Sequence, residues 1–178
     1  VDGNRRFAMA QKLATRKAGH MAGSDNLEGF LRWCLDLDIK MVTLYGFSTE
    51  NYNRSGEEVE ELMSIILNKF RTLKTDPLIA DENVKIKVIG RRDQLSQEMN
   101  KEIDSVEAQT AENDGFQLNI AIGYGGRAEI VDAVKKIGER IKIGEIDIDD
   151  IDEQLLSNHL YTEGMPDPDL IIRTSGEE

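Results

Sequence analysis

Met41-Val42-Thr43-Leu44-Tyr45-Gly46-Phe47 is a mostly apolar, partly β-branched run, the composition of a strand covered on both faces. It ends at Ser48-Thr49-Glu50-Asn51, a polar stretch that cannot extend a core. Upstream, within 23–38, Leu27, Phe30, Leu31, Cys34 and Leu35 recur at helical spacing and give one apolar face. Downstream, Ser55-Gly56-Glu57-Glu58 has capping-box spacing. Val59, Leu62, Met63, Ile66, Leu67 and Phe70 then line one side of a long helix that breaks before Pro77. Residues 84–89 read as a second strand, 96–113 as a polar, solvent-facing helix, and 118–122 as a third strand ending at Gly123-Tyr124-Gly125-Gly126-Arg127. An amphipathic helix over 128–141 presents Ile130, Val131, Val134, Ile137 and Ile141. Asp150 with Glu153 opens a short helix through His159, and Asp169-Leu170-Ile171-Ile172-Arg173 reads as a fourth strand after Pro166 and Pro168.

Strands of the buried type alternating with helices predict an α/β fold: a single layered domain over 1–178, with a mainly parallel central sheet flanked by helices. Length agrees, since 178 residues with 39% apolar content make one core and not two comfortable ones. Ligands of such sheets collect beyond the carboxyl ends of the strands. That rule gathers Asp2-Gly3-Asn4, Ser48 to Arg54, Gly123 to Arg127 and Arg173 to Glu177 around one cleft. The start, Val1-Asp2-Gly3-Asn4, reads as the end of a strand running into a turn, so the strand itself is expected to lie outside the chain.

A formal net charge of -12 argues against a nucleic-acid partner, because that affinity comes largely from Lys and Arg on phosphates. The sum conceals a local cluster, Arg5, Arg6, Lys12, Arg16 and Lys17, while acid concentrates between Glu145 and Glu153. Cys34 is the single cysteine, so no disulfide forms within the chain and the residue is expected as a small apolar member of the core. No apolar run is long enough to span a bilayer and no signal peptide is visible. A reducing, cytoplasmic setting is therefore expected, with peripheral contact at a membrane left open.

The residues with chemistry sit in those loops. In Asp2-Gly3-Asn4-Arg5-Arg6 the glycine permits close backbone approach, a following helix start offers amides to phosphate, Arg5 or Arg6 can clamp an anion, and Asp2 is a hard oxygen ligand for Mg2+. The alternative is a strand end with Asp2 as a cap and solvated arginines. Arg16 and His20 lie one helical turn apart and can contact a diphosphate, although a lone histidine is as readily structural. His159 has no comparable neighbours and is taken as structural. Ser48, Asn51 and Arg54 suit orienting a substrate, or merely capping a turn. Gly123-Tyr124-Gly125-Gly126-Arg127 has neither dinucleotide nor P-loop spacing; it brings Arg127 to an anion or makes a tight turn. Arg173, leaving a strand end, is a second anion clamp.

Taken in order, Asp2-Gly3-Asn4-Arg5-Arg6-Phe7-Ala8, Gly19-His20, Leu44 to Arg54, Asn119 to Arg127 and Asp169 to Glu177 resemble the cis-prenyltransferases, the undecaprenyl diphosphate synthase family. The resemblance implies a transferase that condenses isopentenyl diphosphate with an allylic prenyl diphosphate, using Mg2+ on Asp2. It groups Gly3, Asn4, Arg5, Arg6, Arg16 and His20 around the allylic diphosphate. Ser48, Asn51 and Arg54 assist condensation, Phe47 and Arg127 line the substrate site, and Arg173 binds the isopentenyl diphosphate. A homodimer is implied by the bacterial and many archaeal members, while some eukaryotic members are heteromeric.

The sequence departs from the bacterial pattern in ways that matter. Arg5 stands where a glycine is common and resembles the archaeal and eukaryotic form; Phe7 and Tyr52 stand where Trp is usual. Gly46 replaces a common Ala, which is expected to leave room beside the allylic site so that a longer starter such as geranylgeranyl diphosphate is accepted, the starter being C15 or C20. The family's downstream Arg-x-Ser element and final helices fall beyond Glu178, so a protein limited to 1–178 is expected to be poorly active and poorly stable. Two rival readings are a Mg2+-dependent diphosphate hydrolase and a non-catalytic prenyltransferase-like subunit. The Asp2 carboxylate argues against the second.

Overall fold

A computed structural model describes residues 29–173. It is built from α1 (29–36), β1 (Met41–Ser48), α2 (Gly56–Leu73), α3 (Pro77–Asp81), β2 (Val84–Ile89), α4 (Gln97–Gln109), β3 (Phe116–Tyr124), α5 (Gly126–Lys142) and α6 (Glu153–Ser157), with short 3-10 turns between them. The three strands form a parallel sheet in the order β1-β3-β2. This is the expected α/β class, with helices joining parallel strands.

β3 carries hydrogen bonds on both edges and is accordingly the most buried strand, with Leu118, Asn119, Ala121 and Ile122 at 2% exposure or less. Asn119 is tolerated there because its amide is satisfied: it donates to Thr43 Oγ1 at 3.1 Å and accepts from Gln117 at 2.9 Å. The outer edge of β2 is not left open. Its Ile86 and Val88 N–H groups donate to Thr110 Oγ1 (3.1 Å) and Glu107 Oε1 (2.7 Å), both from α4 or its cap, and Asn113 donates to the Val84 carbonyl at 2.8 Å. Side chains thus take the place of a fourth strand on that edge.

α4 begins where Ser96 accepts from the Met99 amide at 3.1 Å, the expected start. It is not simply solvent-facing, however. Met99, Ile103 and Val106 recur at helical spacing and are buried against α2 and β2, because three apolar positions suffice to form a stripe on an otherwise polar helix. Cys34 is 4% exposed in the same core as Leu31, and its burial pushes the thiol pKa up, as an inert small residue requires.

Four expectations are corrected. Ser55 stands at the N-cap of α2, but Glu58 does not reach back to it; it pairs instead with Arg54. α6 opens two residues later than expected, because the Asp152 carboxylate accepts from Leu155 N–H at 2.7 Å, while Asp147 and Asp150 cap a preceding 3-10 turn. α5 turns Glu129, Ala133 and Ile137 inward and leaves Ile130, Val131 and Val134 about half exposed. Its rotation follows the buried hydrogen bonds of Glu129 rather than the apolar stripe. Residues 169–173 form no strand, and Leu170, Ile171 and Ile172 are exposed. An apolar β-branched run becomes a strand only where an edge supplies its hydrogen bonds, and none is paired with it among the described residues.

The end of β2 is tied to α5 by a two-pronged ion pair. Arg91 Nε and Nη2 each donate to one oxygen of Asp132 at 2.8 Å. The guanidinium, with help from the Tyr161 hydroxyl, holds the Asp132 carboxyl down at about 2 against an ordinary 3.8. A depressed carboxyl contributes stability that is present above the unfolded value and lost as pH falls through the folded one. Asp132→Asn is therefore expected to lower the thermal midpoint at pH 6, and the gap to the parent protein should close between pH 4 and pH 2; a gap independent of pH would show that the charge is not what stabilises the contact. Ile103, fully buried, should cost about 2–5 kcal/mol on replacement by Ala, measured by urea unfolding.

Candidate active site

Parallel pairing brings the carboxyl ends of β1, β2 and β3 to one edge of the sheet. The first loop begins with an irregularity. Between Tyr45 and Phe47 the register with β3 shifts, making Gly46 the extra residue. The shift turns Phe47 inward, 1% exposed, with its ring 4.8 Å from that of Tyr52 in an edge arrangement. Phe47 therefore stands in the core beneath the loop. A Cβ at Gly46 would meet the Ala121 carbonyl at 3.2 Å and the Ile120 and Ile122 side chains beyond it. The missing methyl faces the β3 ladder, and the residues expected to hold the allylic diphosphate lie outside the described ones.

Asn51 makes the turn that follows. Its Oδ1 accepts from the Ser48 N–H at 3.1 Å, and its carbonyl accepts from the Arg54 N–H, also at 3.1 Å. The Glu50 carboxylate is exposed and is held below its ordinary pKa first by its own backbone N–H, then by the Ser48 and Thr49 hydroxyls. Arg54 Nη1 donates to Glu58 at 2.9 Å, and Glu58 is 6% exposed. A buried carboxylate one helical turn away thus fixes the direction of the guanidinium. The Tyr52 hydroxyl is buried without a hydrogen-bond partner among the described residues.

The turn after β3 is placed against this loop. Gly123 has φ +61, the left-handed region that glycine enters at no steric cost, and its carbonyl accepts from the Arg91 N–H at 3.2 Å. Gly125 has ordinary extended backbone, but a Cβ there would lie 2.3 Å from Thr49 Oγ1 and 3.3 Å from Thr49 Cγ2. Close approach of two loops is what this glycine permits. Arg127 follows in the first turn of α5, exposed.

Tyr45 joins the pieces. Its ring, 51% exposed, meets the edge of Tyr124 at 5.2 Å between centroids. Burial raises its hydroxyl pKa, the Glu50 and Glu129 charges raise it further, and the charge of Arg173 opposes them. Tyr45 thus lies against Tyr124 of the Gly123–Arg127 turn, and the charges of Glu50 and Arg173 reach it. Ser48, Asn51, Arg54, Arg127 and Arg173 lie on this side of the sheet. Asp2, Gly3, Asn4, Arg5, Arg6, Arg16 and His20 lie outside the described residues.

Sequence reasoning passed over Tyr45, Arg91, Glu129, Asp132 and Tyr161. Glu129 and Asp132 have i, i+3 spacing directly after the glycine-rich turn, which was a legible sign of one helix face. Their partners were not legible, since Arg91 and Tyr161 are 41 and 29 residues from Asp132. His159 is structural, as expected. Its Nδ1 lies 2.7 Å from the Leu155 carbonyl and must donate, which leaves Nε2 to accept from Arg140 at 3.1 Å. Among the described residues no group of three or more His, Cys, Asp or Glu side chains is placed to hold a metal ion. Nor is any described helix long and apolar enough to cross a membrane.

The family described as "Putative undecaprenyl diphosphate synthase" matches residues 1–178. A tritrans,polycis-undecaprenyl-diphosphate synthase (geranylgeranyl-diphosphate specific) of Pyrococcus abyssi is 46% identical over 177 residues, covering 99% of this chain and 67% of that protein. A protein of the same description from Methanocaldococcus jannaschii is 47% identical over 180 residues, covering 100% of this chain and 64% of its own. In structure, the lavandulyl diphosphate synthase of Lavandula x intermedia, solved with dimethylallyl diphosphate, superposes with a TM-score of 0.86 at 32% identity, over 91% of this chain and 68% of that one. A probable undecaprenyl diphosphate synthase of Campylobacter jejuni gives a TM-score of 0.67 at 25% identity, over 76% of this chain and 62% of that one. The ordered motifs, the sheet and the whole-chain match agree, and the chain belongs to the undecaprenyl diphosphate synthase family of cis-prenyltransferases.

Proposed function

We propose that this chain lengthens an allylic prenyl diphosphate with isopentenyl diphosphate, forming a cis double bond at each addition. The observation that carries the reading is the close approach of Thr49 to Gly125, which sets the Ser48–Arg54 loop against the Gly123–Arg127 turn at the carboxyl edge of the sheet. In the reaction the bond between C1 of the allylic chain and its diphosphate oxygen breaks. The double bond of isopentenyl diphosphate supplies the electron pair for the new carbon-carbon bond, and a proton then leaves to form the cis alkene. The diphosphate departs with that charge balanced by its ligands.

Roles follow from charge and position. Gly3, Asn4, Arg5, Arg6, Arg16 and His20 hold the allylic diphosphate, and Arg173 holds that of the isopentenyl unit. Arg54, steered by Glu58, and Arg127 at the helix start add positive charge to the cleft. Asn51 keeps Ser48 and Glu50 in place through its turn, and Ser48 or a diphosphate oxygen receives the proton. Phe47 supports the loop from below. By the family resemblance Asp2 would be the protein's oxygen ligand for Mg2+; the described carboxylates at the cleft, Glu50 and Glu129, are engaged by hydroxyl and amide donors. When bound, that ion supplies Lewis-acid neutralisation of the leaving diphosphate.

The relatives named geranylgeranyl-diphosphate specific support a C20 starter here. The growing tail advances along an apolar passage, where about 0.8 kcal/mol for each buried methylene favours threading. A homodimer in the cytoplasm, touching the membrane peripherally to release its product, fits an enzyme with such a product.

Labelled isopentenyl diphosphate offered with C10, C15 and C20 starters should give polyprenyl products by mass, with the highest initial rate on C20. A clear preference for C15 would overturn the starter assignment. Asp2→Asn should cut Mg2+-dependent turnover by roughly 100-fold or more with an unchanged far-ultraviolet spectrum, and retained turnover would remove Asp2 from its role. Gly125→Ala should lower turnover about tenfold by displacing the Thr49 turn, and Thr49→Ala in the same protein should restore most of it. A loss that Thr49→Ala leaves untouched would separate the two loops.

A further inference from the structure

A groove of about 420 Å³ opens between the last turns of α5 and the end of α6. Lys136, Arg140, Leu155, Asn158, His159 and Glu163 line it, and none of these belongs to the Ser48–Arg54 loop or the Gly123–Arg127 turn. Its volume is that of a small-molecule site.

The cations of the groove are set in place. Arg140 Nε donates to Glu145 Oε2 at 3.0 Å and Nη1 to His159 Nε2 at 3.1 Å, while His159 Nδ1 donates to the Leu155 carbonyl at 2.7 Å. Among the described residues this leaves Nη2 of Arg140 to reach a ligand. Lys136 stands one turn earlier on the same side of α5; its Nζ lies 5.8 Å from the centroid of the Tyr161 ring and has no carboxylate partner among the described residues. Asn158 Oδ1 accepts from Gln154 at 2.9 Å, so the amide NH2 is the group that Asn158 can offer. Three side chains of the groove therefore present donors, and Glu163 presents an acceptor.

Three donors suit a group with three oxygens. A carboxylate has two, and Arg140 cannot meet it through a parallel Nε and Nη2 fork because Nε is already on Glu145. A phosphate monoester presents three oxygens to two cations and an amide, whereas the diester of a phospholipid headgroup presents only two. Glu145 and Glu163 balance the charges of Lys136 and Arg140, so the groove exerts little pull at a distance and contact decides what enters. Glu163 repels bare inorganic phosphate, yet accepts from a hydroxyl carried by the same molecule. Leu155 lies against its short carbon skeleton.

We propose that this groove binds the phosphomonoester of a small polyol, with the phosphate on Lys136, Arg140 and Asn158 and a hydroxyl on Glu163. The site is independent of the prenyl-transfer reading. The test titrates glycerol 3-phosphate, inorganic phosphate and glycerol into the full-length protein and follows backbone amide shifts over 136–163, with 48–54 and 123–127 as the record of the cleft. Glycerol 3-phosphate should shift 136–163 and bind about fivefold tighter than inorganic phosphate, and glycerol should shift nothing at the same concentration. Lys136→Gln, which removes no hydrogen bond among the described residues, should weaken glycerol 3-phosphate about tenfold and leave prenyl transfer within about twofold of the parent. Glu163→Gln should tighten inorganic phosphate and erase the preference between the two. Shifts confined to 48–54 and 123–127, or an affinity that Lys136→Gln leaves unchanged, overturn the site. Equal affinity of the parent protein for glycerol 3-phosphate and inorganic phosphate overturns the polyol and the role of Glu163. Sedimentation with phosphatidylglycerol vesicles, lost in Lys136→Gln and unaffected by glycerol 3-phosphate, overturns the monoester in favour of a lipid headgroup.

Discussion

Hydrogen bonding on both edges of β3, in parallel, governs the rest of the molecule. A parallel pair cannot be closed by a tight turn, so each strand must hand the chain to a helix that crosses back over the sheet. That requirement places α2 and α4 on the core and buries Phe70, Ile103 and Val106 with the strand side chains. It also delivers the carboxyl ends of all three strands to one edge, where polar loops can meet without disturbing the core. The outer edge of β2, finished by Glu107, Thr110 and Asn113, shows the same logic of satisfying every backbone group, here with side chains.

Much of this was legible because it is periodic. The strand at 41–47, the helix after Ser55 and the strand ending at Gly123 follow from alternation, apolar spacing and turn residues, and the family follows from five ordered motifs. What was illegible depended on contacts between distant residues. Helix α5 has an apolar stripe at 130, 131 and 134, yet it rotates to bury Glu129, because two buried donors outweigh moderate apolar area. Likewise Leu170-Ile171-Ile172 has a strand's composition but no strand paired with it among the described residues. Composition describes what a segment would accept, whereas pairing depends on what stands beside it. The site divides in the same way: the position of the described loops at the carboxyl edge of the sheet was legible from where the strands end, but Tyr45, Glu129 and Tyr161, which relate the loops to one another, have no local signature.

Charge is distributed to suit two anionic substrates within an acidic protein. The whole chain carries a net charge of -12, while among the described residues Arg54, Arg127 and Arg173 stand at the carboxyl edge of the sheet. Arg54 is directed by a buried carboxylate, which costs part of its charge in exchange for a fixed orientation. Under the proposed function, diphosphates would be recognised at short range by a few oriented donors, not drawn in by the field of the whole surface.

The near contact of Gly125 with Thr49 has a consequence for descent. Because no methyl fits at the first position while the second keeps its threonine, these two sites are not free to drift separately. Lineages that gain bulk at one should carry a smaller residue at the other, and the order of the two changes is constrained: the reduction must come first.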